Sequence, residues 1–139
     1  MAIKIYPVDI EILLKPVGYP KCRISLDDQQ QELTVEQESW VKLFYQGHGS
    51  TRLSIEHFGK ADSDPSTALI VEQIKFNEIT SPKFVWAGLY SPNYPKHLSG
   101  DSELKYHNYL SWNGVWTLDF TLPIYTWIHK MEDLGWIYD

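Results

Sequence analysis

The stretch IEHFGKADSDPSTALIVEQIKFNEI, residues 55–79, joins two apolar, strand-like segments through a loop rich in Asp, Ser, Pro and Gly. Before the loop, Leu53 and Ile55 alternate with polar residues, which is typical of a strand with one buried face. The loop itself could be a metal site, an active site or a turn. The segment that follows decides whether the chain continues as a sheet or changes to a helix.

In that following segment, ALIVEQIKFNEI (68–79), the apolar residues change phase. Leu69 and Val71 share one face, whereas Ile74 and Phe76 share the other. A one-residue slip reverses the faces of a strand, so the pattern predicts a β-bulge near Glu72 or Gln73. A helix is the competing interpretation, but the β-branched residues favour a strand.

Short apolar alternation continues through most of the chain as far as Leu122. The strand-length runs are separated by turns about every 8–12 residues, a spacing typical of sandwiches and jelly rolls. One predicted strand is KFVWAGLY (83–90). The segment 105–122, KYHNYLSWNGVWTLDFTL, is predicted to form a hairpin with Asn113-Gly114 as a type I′ turn. Nine or ten strands are expected in total.

The segment after Leu122 has a different period. Ile124, Trp127, Ile128 and Met131 stand at i, i+3, i+4 and i+7, with Pro123 at the start and Gly135 beyond the end, which predicts one short helix. The predicted fold is therefore all-β, an antiparallel β-sandwich or jelly roll with one short C-terminal helix. No linker or repeat divides the chain, so residues 1–139 are expected to form a single domain.

Composition and charge exclude several classes of protein. The net charge is −6 and no long basic cluster occurs, so a nucleic-acid partner is not expected. No segment has the roughly 20 apolar residues of a membrane span. Cys22 is the single cysteine, which rules out an intrachain disulfide. The alternating N-terminal residues do not resemble a signal peptide, so a cytoplasm, or a virion assembled in a host cytoplasm, is the expected location.

The loop after Ile55 carries a candidate calcium site. Asp62 and Asp64 could face one ion, with Asp27 reaching in from another polar turn, because calcium prefers carboxylate and carbonyl oxygens. No EF-hand spacing is present. The alternative is that Asp64-Pro65 starts a turn and that the Asp62 side chain makes an Asx-type hydrogen bond there. Calcium is the one cofactor considered for this chain, and otherwise none is expected.

Aromatic residues make up 14% of the chain, whereas recognisable catalytic motifs are absent from the sequence. The protein is therefore not expected to be an enzyme. Rigid aromatic rings are favoured contacts for sugars and protein partners. The hairpin 106–120 and the loop 91–100 are predicted to form the working surface. The candidate ligand-binding residues are Trp112, Trp116, Tyr90, Tyr94 and His57.

Several segments resemble the small calcium-dependent xylan-binding modules, which are jelly-roll β-sandwiches. The matching segments are Gly18-Tyr19-Pro20, Ile24-Ser25-Leu26-Asp27, Phe44, Ile55 to Asp64, and Ile74-Lys75-Phe76-Asn77, all in about the first 80 residues. The resemblance implies a carbohydrate-binding-module-like fold. It also implies a calcium ion held by Asp side chains and sugar hydroxyls.

The strings IEHFGK, FNEI, NGVWTLDF and LGWIYD resemble those of small proteins from tailed phages of cyanobacteria and other marine bacteria. Taken together, the resemblances imply a non-catalytic structural or adhesive protein of a phage virion. The expected partners are other virion proteins, polysaccharide, or further copies of the chain. The alternative is a calcium-dependent glycan-binding module of a bacterial carbohydrate-active system.

Overall fold

The computed structural model describes residues 4–95, 98 and 100–136, with side chains as far as residue 132. Within them the chain forms eleven strands and two helices. The strands are β1 (Tyr6–Val17), β2 (Lys21–Leu26), β3 (Gln29–Thr34), β4 (Ser39–Gly47), β5 (Gly49–Phe58), β6 (Ala68–Phe76), β7 (Ile79–Thr80), β8 (Leu89–Pro92), β9 (Leu104–Lys105), β10 (Tyr109–Leu110) and β11 (Gly114–Leu122). The helices are α1 (Pro82–Trp86) and α2 (Ile124–Trp136).

The strands form two sheets, in which every pairing is antiparallel. Sheet A has the order β10-β6-β1-β4, with β7 added beside β6. Sheet B has the order β3-β2-β5-β11-β8-β9. The prediction of an antiparallel β-sandwich with a C-terminal helix is confirmed.

The core lies between the sheets because alternate residues of each strand point inward. On β5, Leu53 and Ile55 are buried, whereas Arg52 is exposed, as the sequence predicted. One end of the core is filled by aromatic rings. Phe76 lies 5.2 Å from Phe84, 5.0 Å from Phe120 and 5.3 Å from Trp127, measured between ring centroids.

The predicted β-bulge is confirmed in β6. Leu13 of β1 pairs with Gln73, whereas the next residue, Leu14, pairs with Val71. Glu72 is therefore the extra residue, and it is exposed. The bulge lets Leu69 and Val71 on one side of it, and Ile74 and Phe76 on the other, all point into the core.

The predicted C-terminal helix is also confirmed. Ile124, Trp127 and Ile128 of α2 are buried, which matches the spacing seen in the sequence. The Gly135 expected just beyond the helix lies within α2 instead. No helix in the described part of the chain is long and apolar enough to cross a membrane.

The prediction of one strand across 83–90 is wrong in its first half. Pro82–Trp86 forms the short helix α1, and a strand begins only at Leu89. The Ser81 hydroxyl caps α1 by accepting a hydrogen bond from the backbone N–H of Lys83 at 3.3 Å. Ser before Pro is a typical start of a helix, so the signal was present in the sequence.

The predicted hairpin across 105–122 is wrong as well. Leu110 belongs to β10 in sheet A, whereas Gly114 begins β11 in sheet B. Asn113 and Gly114 therefore connect the two sheets. The Asn113 side chain pairs with the backbone of Lys60, accepting from its N–H at 2.9 Å and donating to its carbonyl at 2.8 Å. These contacts hold the connection in place of a type I′ turn.

Candidate functional site

Two of the predicted ligand-binding rings lie in the core. Trp116 and Tyr90 are both 0% exposed and face each other across β11 and β8. The Tyr90 hydroxyl donates to the Trp112 carbonyl and accepts from the Trp112 N–H at 3.0 Å. Burial raises the pKa of Tyr90 to about 12. The expectation that these two rings are presented at the surface is wrong, because β8 and β11 turn them inward.

The other three predicted residues do not form one exposed surface either. His57 is buried, and its Nδ1 lies 2.9 Å from the Leu110 carbonyl oxygen. Trp112 is half-buried beneath the Lys60 ammonium. Tyr94 is half-buried and donates its hydroxyl hydrogen to the Asp101 carbonyl at 3.1 Å. Residues 96, 97 and 99 of the predicted loop surface lie outside the described residues.

The buried imidazole of His57 should make stability depend on pH. Burial lowers the pKa of His57 below its ordinary value of 6.5, so the unfolded chain binds the proton more tightly. The free energy of unfolding is therefore expected to fall as the pH drops below 6.5 toward the folded pKa. Thermal melts between pH 7 and about pH 5 measure this loss.

The matched variants for this measurement are His57→Asn and His48→Asn. Asparagine retains a donor near the position of Nδ1 but does not titrate, so His57→Asn should flatten the pH dependence. His48 is exposed in the turn between β4 and β5, so His48→Asn is the control for loss of a histidine outside the core. An unchanged slope in His57→Asn would show that another group causes the acid sensitivity.

The loop between β5 and β6 is organised by Asp64. Its Oδ1 accepts hydrogen bonds from the N–H groups of Ser66 and Thr67, both at 3.0 Å, and its Oδ2 accepts from the Thr67 hydroxyl. The Thr67 hydroxyl first, and then the two N–H groups, lower the pKa of Asp64 to about 2. The turn interpretation holds, but Asp64 and not the predicted Asp62 is the side chain that caps the turn.

The proposed third calcium ligand, Asp27, lies at the wrong end of the sheet. Leu26 pairs with Leu53, whereas Lys21 pairs with Phe58, so Asp27 and the loop after Phe58 flank opposite ends of the ladder. The five residue steps of the ladder from Leu53 to Phe58 alone span roughly 17 Å, and Asp27 and the loop lie beyond its two ends. Among the described residues, no group of three or more His, Cys, Asp or Glu side chains could hold a metal ion.

These observations test whether the calcium implied by the resemblance fits this loop. Both Asp64 oxygens are already engaged by the loop itself. The Lys60 ammonium is close enough to lower the pKa of Asp64 further, and a cation there would repel calcium. Asp62 is exposed and Asp27 is distant. The residues present do not fit a calcium site.

A cleft of about 370 Å³ lies on the outer face of sheet B. Two exposed aromatic side chains line it, Trp86 at 52% and Tyr106 at 76% exposure. Trp86 is the last residue of α1, and Tyr106 directly follows β9. The other residues that line this cleft, called here the sheet-B cleft, are Arg52, Ala87, Gly88, Leu89, Lys105, Thr117 and Asp119.

The polar part of the cleft comes from strand register. Asp119 on β11 lies opposite Arg52 on β5, and both point away from the core. Arg52 donates from Nε to Asp119 Oδ1 at 2.7 Å and from Nη2 to Oδ2 at 3.1 Å. The Arg52 hydrogen bonds lower the pKa of Asp119, so its carboxylate stays ionised near neutral pH. The pair offers donors and acceptors in a fixed orientation.

Sequence reasoning missed this cleft. The sequence pattern predicts a strand at Trp86 and a hairpin at Tyr106. One usable signal was Ser81-Pro82, which marks the start of α1 and hence the position of Trp86. A second feature is visible only in the structure: a Cβ on Gly88 would lie 2.0 Å from the Trp116 indole. Gly88 therefore lets the cleft wall lie directly on a buried ring.

Comparison with known proteins finds solved structures of similar fold. No family profile matches the chain, and no curated protein matches it significantly. Two solved structures are similar, both with a TM-score of 0.55 and 12% identity. One is the selenomethionine form of vCBM60, from a study of two families of calcium-dependent carbohydrate-binding modules. The alignment covers 80% of this chain and 89% of the vCBM60 chain. The similarity is one of fold: this chain and vCBM60 share a β-sandwich architecture.

The second structure is vCBM60 in complex with galactobiose. The alignment covers 79% of this chain and 96% of that vCBM60 chain. The predicted resemblance to calcium-dependent carbohydrate-binding modules is confirmed at the level of the fold. The resemblance to phage proteins stays a prediction.

Proposed function

We propose that the protein is a non-catalytic carbohydrate-binding module that holds a glycan in the sheet-B cleft. The observation that carries the proposal is the pair of exposed rings, Trp86 and Tyr106, in a cleft that also contains the Arg52–Asp119 pair. A sugar ring has an apolar C–H face and a rim of hydroxyl groups. Aromatic rings bind the apolar C–H face, and charged donors and acceptors bind the hydroxyl groups. The similarity of the fold to a galactobiose-bound module supports this assignment.

The composition of the cleft supports binding without catalysis. Glycoside hydrolysis generally uses two carboxyl groups, one of them able to donate a proton. Of the described residues that line the cleft, Asp119 is the only carboxylate, and its ion pair with Arg52 keeps it ionised. The most strongly buried titratable groups, Tyr90, His57 and Cys22, face the core and not the cleft.

Titration of the protein with neutral oligosaccharides, including galactobiose and xylo-oligosaccharides, tests the proposal. Trp86→Ala and Tyr106→Ala are each expected to weaken binding roughly tenfold, because each removes one stacking ring. Isothermal titration calorimetry or affinity electrophoresis measures the change. Since the main contact is apolar, binding by the parent should persist at high salt.

The matched control is Trp40→Ala. Trp40 is also an exposed tryptophan, at 41%, but it lies on the outer face of sheet A, on β4. Its replacement should leave affinity unchanged. Loss of binding in Trp40→Ala, with full affinity in Trp86→Ala, would move the site to the opposite sheet. No binding of any glycan by the parent would remove the proposed function itself.

A structural role in a phage virion is the second candidate function. Trp40 and Phe44 are exposed on the same face of β4, and rings of this kind suit contact with another protein or another copy of the chain. Light scattering of the parent and of a Trp40→Ala, Phe44→Ala double variant tests for self-association. A monomer at high concentration in both would argue against contacts between copies through this face.

A further inference from the structure

The loop that was predicted to hold calcium encloses a lysine ammonium. Lys60 is only 9% exposed, although it carries a full charge. Its Nζ donates to the Thr67 carbonyl at 2.8 Å and to the Ser111 carbonyl at 2.6 Å. The same nitrogen lies 4.3 Å from the centroid of the Trp112 ring. Two carbonyl oxygens and an aromatic face therefore surround the charge.

This environment satisfies the ammonium. An ammonium group has three N–H donors, and two of them are taken by carbonyl oxygens. The third side is covered by the negative face of the Trp112 ring, which attracts a cation. The Asp64 carboxylate favours the charged form of Lys60 and so partly offsets the lowering of its pKa by burial. A buried charge with these partners costs far less than an unpaired one.

The ammonium also joins two distant segments of the chain. Thr67 ends the loop between β5 and β6, whereas Ser111 lies in the connection from sheet A to sheet B. The backbone of Lys60 is held by the Asn113 side chain in the same connection. A loop calcium ion joins chain segments in a similar way, through carbonyl and carboxylate oxygens.

We infer that the Lys60 ammonium is the structural cation of this loop, so that the chain carries its own cation and folds without calcium. The inference follows from the misfit between the loop and a calcium site, together with the contacts of Nζ. It separates this chain from the modules of similar fold that are described as calcium-dependent. It does not depend on the proposed glycan binding, since the sheet-B cleft uses other residues.

Thermal melting of the full chain tests the inference. The melting temperature of the parent should be the same with calcium and with a chelator. Lys60→Met keeps an unbranched side chain that is one atom shorter, but removes the charge and the donors. It leaves two carbonyl groups without a partner, and a loss of roughly 5–15 °C is expected. Glycan binding, measured separately on the parent, should be unaffected by the chelator.

Lys75→Met is the matched control. The Lys75 ammonium also lies over a tryptophan, 4.6 Å from the centroid of the Trp40 ring, but on the outer face of sheet A. Its replacement should lower the melting temperature by no more than about 4 °C. Equal losses in Lys60→Met and Lys75→Met would overturn the inference. So would a parent that calcium stabilises and a chelator destabilises.

A third measurement tests the inference if Lys60→Met does not fold. Lys60→Ala should leave a cavity next to the Thr67 and Ser111 carbonyl oxygens that a small alkylammonium ion can enter. Propylammonium, which matches the three carbons and the nitrogen that Lys60→Ala removes, should therefore raise the melting temperature of this variant or restore its refolding, whereas propanol with sodium chloride at equal ionic strength should not. Rescue by the alcohol, or no rescue by either additive, would show that the charge of Lys60 is not what the loop needs.

Discussion

Trp116→Ala is expected to lower the free energy of unfolding by about 3–5 kcal/mol, as is usual when a fully buried tryptophan is truncated. Trp116 is 0% exposed and packs between the sheets beside Tyr90 on β8 and Ile55 on β5. Its indole also lies against the backbone at Gly88. Removal of the ring leaves a cavity under the sheet-B cleft. Urea denaturation at pH 7 measures the loss as a lower midpoint with an unchanged slope.

The control for Trp116→Ala is Trp86→Ala, which removes the same side chain from an exposed position. Its effect on stability should stay within about 0.5 kcal/mol, even though it is expected to weaken glycan binding. If Trp116→Ala does not fold, Trp116→Phe keeps an aromatic ring in the site and should be destabilised less. A loss below about 1 kcal/mol in Trp116→Ala would contradict burial of the ring and would indicate that Trp116 is exposed.

Gly114→Ala is the second substitution with a large expected effect, about 2–4 kcal/mol of destabilisation. A Cβ at this position would lie 2.4 Å from the Ser91 carbonyl oxygen and 2.8 Å from the Pro92 Cα. Both atoms belong to the backbone of β8, which cannot move aside as a flexible side chain could. The φ angle of Gly114 is +154°, which side-chain-bearing residues rarely adopt. Denaturation in urea measures the loss.

Gly49→Ala is the matched control, since Gly49 lies at the other end of the same β5–β11 ladder. Its φ angle is +68°, but no atom lies within 4 Å of an added Cβ. Only the backbone cost of about 1–2 kcal/mol is therefore expected. If both substitutions cost the same, Gly114 is an ordinary turn glycine with open space around it, as the predicted hairpin required.

Local patterns in the sequence were sufficient for most of the long strands, the bulge and the C-terminal helix. The change of phase between Val71 and Ile74 records which residues point inward, and only an extra residue at Glu72 reconciles the two halves of β6. The helical spacing of Ile124, Trp127 and Ile128 similarly records one buried face. Such patterns depend on burial of each residue's own side chain, so they are readable without knowledge of the partner strand.

The candidate site was less accessible to sequence reasoning. Trp86 and Trp116 both lie in apolar segments, yet one is exposed and the other is fully buried. The Arg52–Asp119 pair joins residues that are 67 positions apart in the chain, and no local motif predicts this pairing. In the loop between β5 and β6, the Asp residues suggest a metal, whereas in the structure the Lys60 ammonium binds the Thr67 and Ser111 carbonyl oxygens.

The sequence by itself determined that the chain forms antiparallel strands with one buried face each, a bulge in β6 and a final helix. Alternation reports burial of side chains within one strand and is therefore a local property. Only the tertiary structure decided that β10 and β11 belong to different sheets, that Trp116 lies inside, and that Lys60 fills its loop. Each of these depends on which strands pair and on how two sheets stack. Those choices are made by contacts between residues far apart in the chain, which no local period encodes.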